Sequence, residues 1–163
     1  MKEFLQRYAG YNIWANQQLF NRISQLNEED ITKEIASSFP SLYKTVVHMW
    51  LAEDVWWQRL QLVENIVLPA QNFTGTFDEL CKNLAKQSRL WKDWVDNASI
   101  NQLNHVFAYI RNKEQLKIPV NEMLVHLFNH ATYHRGQLVT LLQQLKANNI
   151  PATDFSIFTR LKK

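Results

Sequence analysis

No proline interrupts the chain between Pro119 and Pro151, and most of that interval repeats its apolar residues with the rhythm of a buried helix. Val120, Leu124, Leu127, Ala131, His134, Leu138, Leu141 and Leu145 are spaced 4, 3, 4, 3, 4, 3, 4. Such an a/d seam packs one helix against others. The spacing predicts a helix from about Pro119 to Asn148, and the other elements must supply its partners. With only 3 Gly and 4 Pro in 163 residues, the chain has few turn signals and suits long helices.

This segment also carries His126, His130 and His134, three of the chain's five histidines. Each four-residue step along a helix rises about 6 Å and turns about 40° past a full turn. His130 and His134 therefore project from one face on adjacent turns, where both rings can reach one ion. His126 and His134 stand about 12 Å apart along the axis, so those three cannot share a metal. The row Met123, Leu127, His130, His134, Gln137 and Leu141 lies beside the seam. A polar ring among apolar side chains is costly unless something satisfies it. A metal does so, with the second ring nitrogen donating to an acceptor behind it. No His-Glu-x-x-His is present, so a zincin mechanism has no support.

The chain offers three more helices. Leu5, Tyr8, Asn12, Ala15, Leu19, Ile23 and Leu26 mark a first from about Glu3 to Leu26, after which Asn27 to Phe39 begins as a polar loop with a possible short helical turn at Glu28–Ile31. Pro40 suits the first turn of a second helix, which is expected from about Ser41 to Val63 with His48, Leu51, Val55 and Leu62 inward and Val47 and Trp56 beside them. His48 thus sits mid-helix on an apolar face. Thr76 and Glu79 form a capping box for a third helix that runs to about Asn97. Cys81 falls in its seam, where it reads as a small buried hydrophobe rather than a nucleophile. Leu103 to Ile118 reads as a short hairpin with a polar tip at Arg111–Glu114 or as an extended crossover. Beyond Pro151, Phe155, Ile157, Phe158 and Leu161 can pack back on the helices.

If the second and fourth helices face each other, His48, His130 and His134 can meet over one ion. Three neutral imidazoles leave a coordination position open, as catalytic zinc-type sites do. His126 is then a residue that orients the ligands or simply packs, and His105 is expected on the surface. Gly136, inside the helix and two residues past a ligand, suggests close helix approach or is a tolerated accident. Arg135 is expected to be solvated or ion-paired, with anion steering at the site mouth as the alternative. Trp14, Trp56 and Trp57 are candidate pocket walls or core residues.

Composition narrows the class. A single domain over 1–163 is expected, long enough to bury a sizeable core. The net charge of +3 is too small and scattered for a nucleic-acid surface, and Arg160, Lys162 and Lys163 read as a solvated end. One cysteine excludes an intramolecular disulfide and fits a reducing cytoplasm. No apolar run is long enough to span a bilayer, and Met1–Phe4 shows no signal-peptide core.

Asn12-Ile13-Trp14-Ala15-Asn16, then Ser41-Leu42 through His48 with Glu53 and Trp57, then His126 through Asn129-His130 and His134-Arg135-Gly136-Gln137 resemble the motifs of the DinB/YfiT-like family. Pro151 with Asp154-Phe155 is similar to that family's C-terminal segment. The resemblance covers nearly the whole chain and implies an all-α, four-helix bundle of up-up-down-down order, frequently homodimeric. Carried over by position, the family's ligands are His48, His130 and His134, with nickel or zinc the usual ion. Tyr133 departs from the pattern, standing where relatives often have another His. Better-understood relatives transfer or add small thiols to electrophiles, isomerise with thiol cofactors, or are taken to be hydrolases. The expectation is a cytoplasmic, metal-dependent enzyme that passes a low-molecular-weight thiol to a small-molecule electrophile. The alternatives are a hydrolase using the same site, or a non-catalytic metal-binding and dimerisation module. No nucleic acid or membrane partner is expected.

Overall fold

The computed structural model describes residues 1–111 and 113–161. Helix α1 spans Lys2–Ile23 and α2 Glu28–Thr32. Helix α3, Leu42–Leu60, begins on the Ser41 hydroxyl, which accepts from the Lys44 amide at 3.0 Å. Pro40 therefore lies just outside the helix rather than in its first turn. Helix α4, Phe77–Asn97, starts on the expected capping box, with both the Thr76 and the Glu79 hydrogen bonds made. The short α5, Ile100–Asn104, has a Ser99/Gln102 capping box that the sequence reading missed. Strands β1, Val106–Arg111, and β2, Glu114–Pro119, pair antiparallel, so the hairpin is the correct alternative. Asn112 of its tip, like Lys162 and Lys163, falls outside the described residues. Helix α6, Val120–Gln144, and α7, Phe155–Arg160, complete a mainly helical fold with one small sheet.

Helices α1 and α3 each pack on both α4 and α6. The interior divides into two apolar clusters. One gathers Leu19 and Ile23 of α1, Leu42 and Val46 of α3, Leu80 and Leu84 of α4, and Leu138 and Leu142 of α6. The other gathers Leu5 and Ala9, Trp56, Trp91 and Val95, and Met123, Leu124 and Phe128. These memberships give each helix its direction: α1 and α6 run one way, α3 and α4 the other. The order is up-down-down-up, which corrects the up-up-down-down order the resemblance implied. Parallel neighbours α3 and α4 need a connection as long as a helix. Residues 61–76 supply it, reaching roughly 50 Å when extended against about 30 Å of helix.

Between the two clusters lies a layer of buried polar side chains, Asn12, Asn16, Glu53, Ser88 and Arg135. It explains the misassigned face of α3. That helix buries Leu42, Thr45, Val46, Met49, Trp50, Glu53 and Trp56, whereas His48, Leu51 and Val55 lie at its edge and Leu62 is 68% exposed. A stripe containing a glutamate and a threonine does not look inward by hydropathy. Leu62 also lies past the helix end, at φ 55, closing it as the Val63 amide donates back to the Gln58 carbonyl. The α6 seam holds through Leu141, with Val120, Leu124, Leu127, Ala131, His134, Leu138 and Leu141 buried, but the helix stops at Gln144 rather than near Asn148, so Leu145 becomes its C-cap and is only half-buried. At the tail, Phe158 is buried against Tyr11 and Trp14, while Leu161 is exposed. Among the described residues no helix is long and apolar enough to cross a membrane.

Candidate metal centre

The straight run of α6 sets His130 and His134 one turn apart, with their Nε2 atoms 3.0 Å from each other. His48, from the edge of α3, brings its Nε2 to 3.4 Å from that of His130. Ligand atoms of all three lie within 4.8 Å of one another. Nitrogens held about 2.0–2.1 Å from a common ion stand roughly 3–3.4 Å apart, so the two separations from His130 Nε2 match a shared cation.

Proton placement favours the same conclusion. His134 Nδ1 lies 2.7 Å from Gln137 Oε1. The amide oxygen only accepts, so Nδ1 carries the hydrogen and the Nε2 lone pair is left free. Gln137 Nε2 donates in turn to Ser38 Oγ at 3.4 Å. One N–H on His130 Nε2 can serve one neighbour at a time, leaving another lone pair facing a lone pair. A cation satisfies all three nitrogens at once. Burial, then the charge of His134, pushes the His48 pKa down to about 4. Burial, followed by the other nearby histidines, does the same for His130, again to about 4. Burial also lowers His134, opposed by its bond to Gln137. Neutral rings at neutral pH are what metal ligation requires.

Phe39 stacks on His48 with centroids 3.9 Å apart and lies edge-on to His134 at 5.5 Å. Its place in a loop otherwise read as polar concealed it. The signal was an aromatic two residues before the Ser41 cap. His126 sits at the exposed rim, its ring 5.9 Å from His130 and 5.5 Å from Trp56. Trp56 also meets Tyr109 at 5.0 Å, and Arg59 lies over both rings. These groups extend an aromatic wall from the cluster.

Other candidates lie elsewhere. Trp14 packs on Tyr11 and Phe158, and Trp57 meets Trp91, so neither is in ring contact with the three histidines. His105 is exposed, as expected. Burial drives the Cys81 thiol up to about 12, which excludes a thiolate at neutral pH. Gly136 makes no close helix approach, since an added Cβ there would meet nothing within 4 Å.

Arg135 is neither solvated nor in a direct ion pair. It is 2% exposed and points into the interior, where Nη1 donates to Asn12 Oδ1 at 2.7 Å and Asn16 Oδ1 at 2.9 Å. Nη2 donates to Thr132 Oγ1 at 2.6 Å. A charged head can enter an apolar interior when several acceptors meet it. Asn12 Nδ2 passes the chain on to Glu53 Oε1 at 2.9 Å, and Ser88 Oγ donates to both Glu53 oxygens at 3.0 and 2.8 Å. Burial nevertheless raises Glu53 to about 7. Glu53 faces away from the histidines, about 140° round α3 from His48.

The fold and this cluster define a mainly helical protein with three histidines placed to hold a divalent ion. The chain belongs to the DinB family, whose profile matches residues 1–160. It is similar to Protein DinB of Bacillus subtilis (strain 168), with 29% identity over an alignment of 185 positions that covers 100% of this chain and 98% of that protein.

Proposed function

We propose that this chain is a divalent-metal-dependent enzyme that transfers a small thiol to an electrophile. It is read as a single-domain four-helix bundle, cytoplasmic and homodimeric, acting on a small molecule rather than on nucleic acid or membrane. The convergence of three neutral Nε2 atoms carries the proposal. His48, His130 and His134 would hold the ion, with nickel or zinc suited to an all-imidazole set. Such an ion supplies Lewis acidity, which lowers the pKa of a thiol or water presented to it.

The protein's part is orientation and shielding. Gln137 keeps the His134 proton on Nδ1, so the opposite nitrogen points inward. Phe39 covers one flank of His48 and limits water there. Trp56, Tyr109 and His126 offer an aromatic wall for an electrophile. Among the described residues no carboxylate lies within hydrogen-bond or ion-pair distance of the three rings. The ion is then the source of acidity, and a thiol, whose own pKa is about 8.5, needs a far smaller shift to ionise at neutral pH than water at about 15.7.

The test combines metal analysis with turnover of a chlorinated nitroarene by a panel of small thiols, alongside activated esters and amides. Thiol-dependent turnover that disappears in His48→Ala is expected. Thiol-independent ester or amide cleavage would replace the proposal with hydrolysis. Stoichiometric metal with neither activity would leave a binding module, and light scattering reads the dimer.

A further inference from the structure

The edge of α3 that carries His48 continues through Ala52 and Val55, both half-buried, to Arg59 in the last turn of the helix. His48 and Arg59 are eleven residues apart, which is three turns with about 20° left over and roughly 16 Å of rise. The guanidinium therefore stands on the same edge as the metal ligand, at its far end. Helix α6 runs the opposite way, so its row from His130 back to His126 follows the same interval. Rings occupy that interval: His126 lies 5.9 Å from His130 and 5.5 Å from Trp56. Arg59 sits in the corner between Trp56 and Tyr109, with its guanidinium carbon 4.7 and 4.9 Å from their centroids.

No acceptor meets this guanidinium. Its Nε is buried without a hydrogen bond, whereas the Nη atoms, which make none either, are not buried and keep their donors open. No carboxylate of the described residues lies within ion-pair distance of it. Another cation gathers there instead. Arg111 follows Tyr109 on the same face of β1. Burial lowers the Arg59 pKa, opposed by Tyr109 and reinforced by Arg111, and Arg111 adds to burial in lowering His126 as well. Glu114 is the cross-strand partner of Arg111 and Glu122 stands one turn before His126, but neither forms an ion pair. The two aromatic faces hold the guanidinium in place and leave its planar fork of donors unmatched.

We propose that the substrate brought to the ion is an elongated carboxylate, with its reacting end at His48, His130 and His134, its apolar body against Trp56 and Tyr109, and its carboxylate on Arg59. This names the chemical class of the electrophile, and in calling it the electrophile it rests on the thiol-transfer reading. A guanidinium fork donates to both oxygens of a carboxylate, and a head held on rings loses less freedom in doing so than a solvated one. Arg111 and His126 disfavour a cationic head at that end.

Visible absorption of the purified, cobalt(II)-loaded protein tests this with ω-mercaptoalkanoates, whose sulfur anchors on the ion while the carboxylate probes for Arg59 at increasing reach. Mercaptoundecanoate is expected to bind at least tenfold more tightly than mercaptoundecanol. Mercaptoacetate, too short to span the interval, should show less than a threefold advantage over mercaptoethanol. Arg59→Gln, which removes no hydrogen bond or ion pair, is expected to erase the long-chain preference while circular dichroism and cobalt uptake stay as in the wild type. If that variant does not fold, the wild-type length series decides, and an acid preference that does not grow with chain length would overturn the proposal. Equal affinity for the long acid and alcohol, or a preference retained in folded Arg59→Gln, would overturn it too. The readout is binding, so absence of thiol-dependent turnover would refute thiol transfer and leave the carboxylate site standing, whereas turnover with no acid preference would do the reverse.

Discussion

Replacing Glu53 with glutamine tests the balance that holds the polar layer together. Burial raises this carboxyl from 4.5 to about 7 in the folded chain. The folded state then keeps a proton that the unfolded chain has lost, so the contribution of Glu53 to stability falls as pH rises through that window. A shift of this size corresponds to about 3 kcal/mol, at 1.36 kcal/mol per pKa unit. Below about 4.5 both states are protonated, and above about 7 both are ionised, so the curve flattens at either end. His48 and His130, pushed down to about 4, slope the opposite way, adding stability as pH climbs from there toward 6.5. The wild-type profile alone mixes these trends, so the informative quantity is wild-type minus Glu53→Gln. Urea unfolding followed by tryptophan fluorescence, in chelator from pH 4.5 to 8, gives both curves. The difference should fall by about 3 kcal/mol between pH 4.5 and 7. A flat or rising difference would refute the reasoning. It would mean that the donors Asn12 and Ser88, with the nearby Arg135 charge, outweigh burial and keep Glu53 ionised.

Gln137→Leu removes the acceptor behind His134 and should weaken zinc about 10–100-fold in a competition assay with a chromophoric chelator. His48→Ala should abolish stoichiometric metal uptake, measured by plasma emission spectroscopy, while the fold persists because His48 lies at the edge of the core. Thr76→Ala breaks the α4 capping box and should cost about 1 kcal/mol in thermal or urea unfolding. Gly136→Ala meets no neighbour and should stabilise the protein by about 0.5–1 kcal/mol.

The α6 seam and its histidine pair were legible because one helix carried a regular apolar rhythm, which put both rings on adjacent turns of one face. The α4 capping box was legible for the same local reason. The face of α3 was not, because Thr45 and Glu53 break its hydropathy and are satisfied only by residues from other helices. Arg135 was misplaced on the same grounds, since nothing local signals that Asn12 and Asn16 will converge on it. Phe39 could not be ranked as a site residue until the backbone carried its loop over His48. The end of α3 went unseen because a leucine, rather than a glycine, takes the left-handed position there. Helix direction escaped because it depends on what the 61–76 connection spans, and no periodicity encodes that.

The relay from Ser88 through Glu53 and Asn12 to Arg135 draws one partner from each of the four long helices. Sliding any helix by one residue would swing its member by about 100° and strand an arginine or a carboxyl in oil. The chain is thereby confined to a single alignment of its helices before any ion arrives. The imidazoles are accordingly set in place by remote interlocking, and loading the cation should demand little reshaping of the scaffold.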